Sequence, residues 1–181
     1  MEKSKKKLIV RIAEGLGNQL FMYANGYALS KKYNCDLYID DTSGYFKKKN
    51  RIRSFELNKF LVDFTIAGNN FKFDNYYKDT KRKILKKIDY FKQKKSFFIE
   101  ERDKKKQTFF NEIKLDNYSD LIFLEGHFES ENYFKKYSKE IKDNINISTN
   151  DINLNNDYID ILKKSNSVSI CIRQNRYSEG K

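Results

Sequence analysis

The stretch Glu14–Asn34, EGLGNQLFMYANGYALSKKYN, decides the fold, because it sets two glycines, an asparagine and a glutamine between an apolar run and a helix-patterned segment. Ahead of it, Leu8-Ile9-Val10-Arg11-Ile12 is short and β-branched, which predicts a strand. Inside it, Leu20, Phe21, Ala24, Tyr27 and Ala28 recur at helical spacing, and Asn34 is a residue that tolerates the left-handed conformation just past a helix end. Behind it, Cys35–Asp40 (CDLYID) reads as a second strand. Strand, helix and strand with short joints predict a βαβ unit, and so an α/β fold with a Rossmann-like parallel sheet flanked by helices.

Further along, Lys78–Lys95 (KDTKRKILKKIDYFKQKK) places Ile84, Leu85, Ile88 and Phe91 on one side of a helix and surrounds them with lysine. This pattern predicts an ordinary surface helix with a solvated lysine face. A basic amphipathic helix in peripheral contact with an anionic membrane is the alternative. Leu121–Leu124 predicts another strand, followed by a helix capped by Ser130 with Tyr133, Phe134, Tyr137 and Ile141 inward. The Asn-rich stretch 144–156 is the candidate linker, a short helix is expected over 158–162, and Val168–Ile172 predicts a last strand that delivers Arg173 to its carboxyl end. The expected organisation is an α/β lobe over 1–150 and the start of a second lobe over 151–181.

At 181 residues the chain is one domain, or one lobe and the beginning of another. Its net charge of +12 suggests an anionic partner. That suggestion is weak, since the abundance of Lys, Asn, Ile, Phe and Tyr and the absence of Pro and Trp equally fit an AT-rich genome. Cys35 and Cys171 each sit in a strand-like run, offer neither a disulfide framework nor metal-ligand spacing, and fit a reduced, cytoplasmic setting. No run is long and apolar enough to cross a bilayer, and the N-terminus turns polar too soon for a secretory signal.

Glycine permits positive φ in a strand-to-helix turn, and the first free N–H groups of the helix then point into the cleft above the strand end, where an anion is welcome. The dinucleotide fingerprint is only partly met, because its third glycine position falls on Leu20, although Asp36 stands near the place of a ribose-binding acid. A P-loop is excluded, because no Gly-Lys-Ser/Thr follows. Asn18 reads on its own as a helix N-cap.

Four stretches in order carry more information than any one of them. GLGNQLFMYANGYALS, RSFELNKF (Arg53–Phe60), LEGHFESENYFKK (Leu124–Lys136) and VSICIRQNRYSE (Val168–Glu179) resemble the motifs of the bacterial α-1,2-fucosyltransferases, glycosyltransferase family 11. The resemblance implies the N-terminal lobe of a two-lobed, GT-B-like, inverting glycosyltransferase that takes fucose from GDP-fucose, without a metal ion or other cofactor, and attaches it to a galactose hydroxyl of a glycan acceptor. It implies that Gly15 and Gly17 shape the turn, that Asn18 contacts the donor near its reacting centre and that Arg173 clamps the diphosphate, with Gln19, Gly126, His127, Cys171 and Arg176 on the substrate side. Where the family pattern has His, Arg, Arg and Asp, this chain has Cys171, Arg173, Gln174 and Arg176. His127 is the only histidine and a candidate general base, although a loop histidine without catalytic duty is the preferred reading, and Glu125, Glu129 or Glu131 could serve instead. In the family a further stretch follows the arginine strand and grips guanine and ribose; as a chain ending at Lys181, efficient transfer is not expected. The other classes weighed are a non-catalytic anion- or glycan-binding lobe, a nucleic-acid binder and a dehydrogenase-like dinucleotide site. The aromatics fall on buried-looking periodicities and not among the basic clusters, which argues against nucleic acid.

Overall fold

The computed structural model describes residues 5–47, 53–61, 64–99, 110–147, 160–161 and 164–166. The chain divides into two units, Met1–Ile147 and Ser148–Lys181. The expected strand Val168–Ile172 lies outside the described residues, as do Cys171, Arg173 and Arg176; of the helix expected over 158–162, only residues 160 and 161 are described, and both are helical.

The first unit is built on β1 (Lys6–Arg11), α1 (Leu16–Tyr33) and β2 (Cys35–Asp40), which form the expected βαβ unit. It continues through β3 (Phe60–Leu61), β4 (Thr65–Ile66), α2 (Tyr76–Asp89), β5 (Lys95–Ile99), β6 (Tyr118–Glu125), α3 (Ser138–Asn144) and β7 (Asn146–Ile147). Five strands make a parallel sheet in the order β4-β2-β1-β6-β5, and β3 pairs antiparallel with β7. The chain runs outward from β1 through β2 to β4, then returns by way of α2 to β5 on the opposite edge. The order therefore reverses between β1 and β6. In open α/β sheets the crevice beyond the strands' carboxyl ends at such a reversal is where ligands bind.

Helix α1 is stopped by Asn34, whose backbone is left-handed (φ 50°, ψ 52°) and whose N–H donates to the Ser30 carbonyl. Every residue from Met22 to Ser30 is buried, since the helix is covered on two sides. Toward the sheet, Gly26 lies so close to β1 and β2 that a Cβ there would stand 2.4 Å from Val10 Cγ2 and 3.3 Å from Leu37 Cδ1. On its other sides Phe21 meets Phe134, Tyr23 meets Phe64, and the Tyr27 hydroxyl donates to Glu140. Strand alternation divides the sheet residues. Leu8 and Val10, in register with Ile122 and Leu124, line the α1 side. Ile9, Phe123 and Phe97 line the other, where the Phe97 and Phe123 rings stack at 4.9 Å and Phe73 joins them.

Two elements differ from the sequence reading. The helix expected from Ser130 is broken into short 3-10 turns at Glu131–Tyr133 and Lys135–Tyr137 before α3 begins. Ser130 still caps the first turn, accepting from Asn132 N. The adjacent rings of Tyr133 and Phe134 are both anchored, one on Phe128 and Phe110, the other on Phe21, and between the two turns the Phe134 backbone leaves the helical region (φ −134°, ψ 4°). The second difference is the direction of α2. Of its expected stripe, Ile84 and Ile88 face outward together with Tyr77, Phe91 is exposed just beyond and Leu85 is half-buried, while Asp79, Arg82, Lys86 and Asp89 turn toward the body of the protein. The lysine-rich helix thus carries its charges inward as well as outward.

Candidate functional site at the carboxyl edge of the sheet

Val10 pairs with Leu124, so the segments leaving β1 and β6 rise side by side from the carboxyl edge, about one inter-strand spacing (~4.8 Å) apart. One is the turn Ile12–Gly17; the other is the loop Gly126–Ser130. Apart from the helix stop at Asn34, the non-glycine residues with positive φ among the described residues are Glu14 (67°) and Phe128 (54°), one in each of these segments. Each left-handed residue costs about 1–2 kcal/mol, which neighbouring contacts must offset.

Those contacts are visible. The Glu14 carbonyl accepts from Gln19 Nε2 (3.0 Å) and Tyr45 Oη (3.3 Å), and its carboxylate pairs with Arg53. Gln19 is fully buried; its second amide proton goes to the Ser54 carbonyl at 2.8 Å, and its oxygen accepts from Glu56 N at 2.9 Å. The glutamine of the first motif therefore locks the turn to the Ser54–Glu56 backbone of the second. Its amide is spent inside the protein, so Gln19 positions the turn and does not reach a ligand. Phe128 is held by its buried ring, packed against Phe98 and edge-on to Tyr133.

The glycines of the turn behave differently from the sequence expectation. Neither Gly15 nor Gly17 has positive φ, and Gly15 is extended (φ −81°, ψ 168°); the left-handed bend falls on Glu14. A Cβ on either glycine would meet nothing within 4 Å. Backbone geometry and packing thus give no reason for glycine at these two positions, in contrast to Gly26. What the two glycines do provide is bare backbone beside open space at a helix start. The cap of α1 is Gly15, not Asn18; no side chain caps the helix and no acid lies in its first turn. Its leading N–H groups are available to an anion. Asn18 is half-buried and makes no side-chain hydrogen bond among the described residues. Gly126 and His127 are half-buried in the neighbouring loop.

Behind this edge lies a charge network that the motifs did not reveal. Arg82 Nη1 donates to both oxygens of Glu125 at 2.7 Å, its Nε and Nη2 reach Asp79 Oδ1, and Lys86 Nζ donates to Glu125 at 2.9 Å. Lys47 also pairs with Asp79, and Arg11 Nη2 donates to the Ser43 carbonyl. Burial alone would raise the Asp79 carboxyl, but hydrogen bonds from Lys47 and Arg82, with their charges, hold it at about 2. Glu125 is likewise held below its ordinary value, since the Arg82 charge and Lys86 outweigh burial. Asp40 is raised by burial despite the backbone donors of Thr42 and Ser43. Glu125 is therefore corrected as a general-base candidate: it is buried, fully hydrogen-bonded and made less basic by its cations. The sequence signal was there in the spacing 79, 82, 86, 89, which is one helix face; it was missed because only apolar residues were read as inward. Among the described residues no group of three or more His, Cys, Asp or Glu side chains is placed to hold a metal ion.

The structure thus gathers Gly15, Gly17, Asn18, Gly126 and His127 along one edge, assigns Gln19 to the scaffold beneath them, and leaves Cys171, Arg173 and Arg176 outside the described residues. No family model matches the chain, and no solved structure matches it. The chain is similar to the alpha-1,2-colitosyltransferase of Escherichia coli, with 29% identity across 94% of this chain and 55% of that protein. It spans about half the length of that relative.

Proposed function

We propose that this chain is the α/β lobe of an inverting glycosyltransferase that moves a fucose-like sugar from a GDP-linked donor, GDP-fucose or its colitose counterpart, to a galactose hydroxyl in α-1,2 linkage. The observation that carries the reading is convergence: three motifs distant in sequence meet at one edge. The glycine turn and the His127 loop flank the strand-order reversal, and Gln19 ties the Phe-Glu-Leu segment to the turn.

The chemistry fits a leaving diphosphate. As the bond between sugar and diphosphate breaks, negative charge grows on the leaving oxygens, and donors fixed in advance stabilise that state more than the bound substrate. The uncapped N–H groups of α1 are such donors, and the open space over Gly15 and Gly17 lets a phosphate approach the backbone closely. Asn18, whose side chain makes no hydrogen bond among the described residues, offers its amide beside them for the sugar or its phosphate. Arg173 supplies the bidentate cation in this proposal; a guanidinium stays charged, so its part is electrostatic and not proton transfer. His127, in the neighbouring loop, lies on the substrate side in this proposal, with no catalytic duty assigned to it.

Calorimetric titration with GDP, GDP-fucose, NAD and single-stranded DNA tests the proposal. Guanine-dependent binding that Asn18→Ala weakens and Arg173→Ala removes is expected. DNA binding with a steep salt dependence and no GDP binding would replace the reading with a nucleic-acid one.

A further inference from the structure

We propose that the outer face of α2 docks on an anionic lipid surface. An amphipathic helix normally buries its apolar stripe against the protein. Here the order is reversed. Asp79, Arg82, Lys86 and Asp89 are spaced along the face that meets the protein: the first three join the network at Glu125, and the Asp89 carboxylate accepts from Ser96 N and Phe97 N at the start of β5. At about 100° per residue, Ile84 sits diametrically opposite that face, with Tyr77 and Ile88 close beside it. All three are exposed (Tyr77 80%, Ile84 53%, Ile88 49%), and Tyr90 and Phe91 extend the patch past the helix end at 79% and 86%.

The surroundings of this stripe choose its occupant. Lys87 borders it on one side and Lys81 on the other, both exposed, and exposed Lys83, Lys92 and Lys94 continue the rim. An apolar strip with aromatic residues inside a lysine border is complementary to a bilayer: the strip enters the boundary between headgroups and acyl chains while the ammonium groups meet lipid phosphates. A second copy of the same face would set lysine rim against lysine rim. No described helix is long and apolar enough to cross a membrane, so the contact is one of lying on the surface. The proposal stands on the orientation of α2 alone and is independent of the glycosyl-transfer reading.

Co-sedimentation of the chain with vesicles of phosphatidylglycerol and phosphatidylcholine, against vesicles of phosphatidylcholine only, tests it. Binding to the anionic vesicles, lost at high salt, is expected. Lys81→Glu/Lys87→Glu should weaken it by at least about fivefold per lysine, and Ile84→Asp/Phe91→Asp at least tenfold, with melting temperatures unchanged because these side chains are exposed. The proposal is overturned if anionic vesicles are not bound, or if both variants bind as the parent does. It is equally overturned if light scattering shows a dimer that Ile84→Asp/Phe91→Asp dissociates while vesicles are ignored, which would make a second copy the occupant.

Discussion

Helices α1 and α2 meet the same sheet in opposite ways. Helix α1 offers aromatic and small residues all round and is buried all round, because the sheet covers one side and the segments carrying Phe64, Phe134 and Glu140 cover the others. Helix α2 offers an apolar stripe and a charged stripe, and the charged one is buried. Periodicity identifies residues that share a face; it does not say which way the face points. The direction is set by what the sheet presents. Next to α1 the strands present Leu8, Val10, Ile122 and Leu124, whereas the other face ends at the carboxyl edge in Arg11 and Glu125, which require charged partners.

The contrast breaks most readily at Arg82. Truncation to Ala leaves Glu125 and Asp79 buried with fewer cations, and we expect a loss of about 3–5 kcal/mol in urea-monitored stability. A cost below about 0.5 kcal/mol would mean that the inward face of α2 is solvated like any surface. Acid gives the next largest effect. Asp79 is held at about 2 in the folded protein and titrates near 3.9 unfolded, so its contribution is complete above about pH 4 and disappears as the pH falls toward 2; the difference is worth about 2 kcal/mol. Asp40 works with the opposite sign, since its raised carboxyl favours the folded state only once protonated, and it offsets part of the loss. A pH series of melting temperatures on the parent and Asp79→Asn separates the two, because the variant should lose most of the slope below pH 4.

How much of this was legible follows from the same physics. The βαβ unit could be read because its signals are local: β-branched runs, helical spacing and an asparagine at the stop. The strand β5 was hidden, because its KSFFI run follows a lysine-rich segment that continues the helical pattern of α2. At the site, glycine was expected to carry the bend, but the positive φ belongs to Glu14, whose carbonyl and carboxylate are tied down by Gln19, Tyr45 and Arg53. Those ties come from residues up to 39 positions away, beyond the reach of any turn rule. The Arg82–Glu125 contact spans 43 positions and was invisible for the same reason.

The smallest effects are the most informative, because α1 contains one glycine that packing demands and one that packing ignores. Gly26→Ala drives a methyl into Val10 and Leu37, and the strain, partly offset by the better helix propensity of alanine, should cost about 1–2 kcal/mol. Gly17→Ala puts a methyl into open space at an unstrained φ, so the folded protein should gain about 0.5 kcal/mol through a less flexible unfolded chain. If the open space belongs to a diphosphate, the same methyl stands where the phosphate must approach, and GDP affinity should fall at least tenfold while the melting temperature holds or rises. A Gly17→Ala protein that is no less stable and binds GDP unchanged would show that the bare backbone at the start of α1 is only a bend, and the anion site would then have to be sought elsewhere.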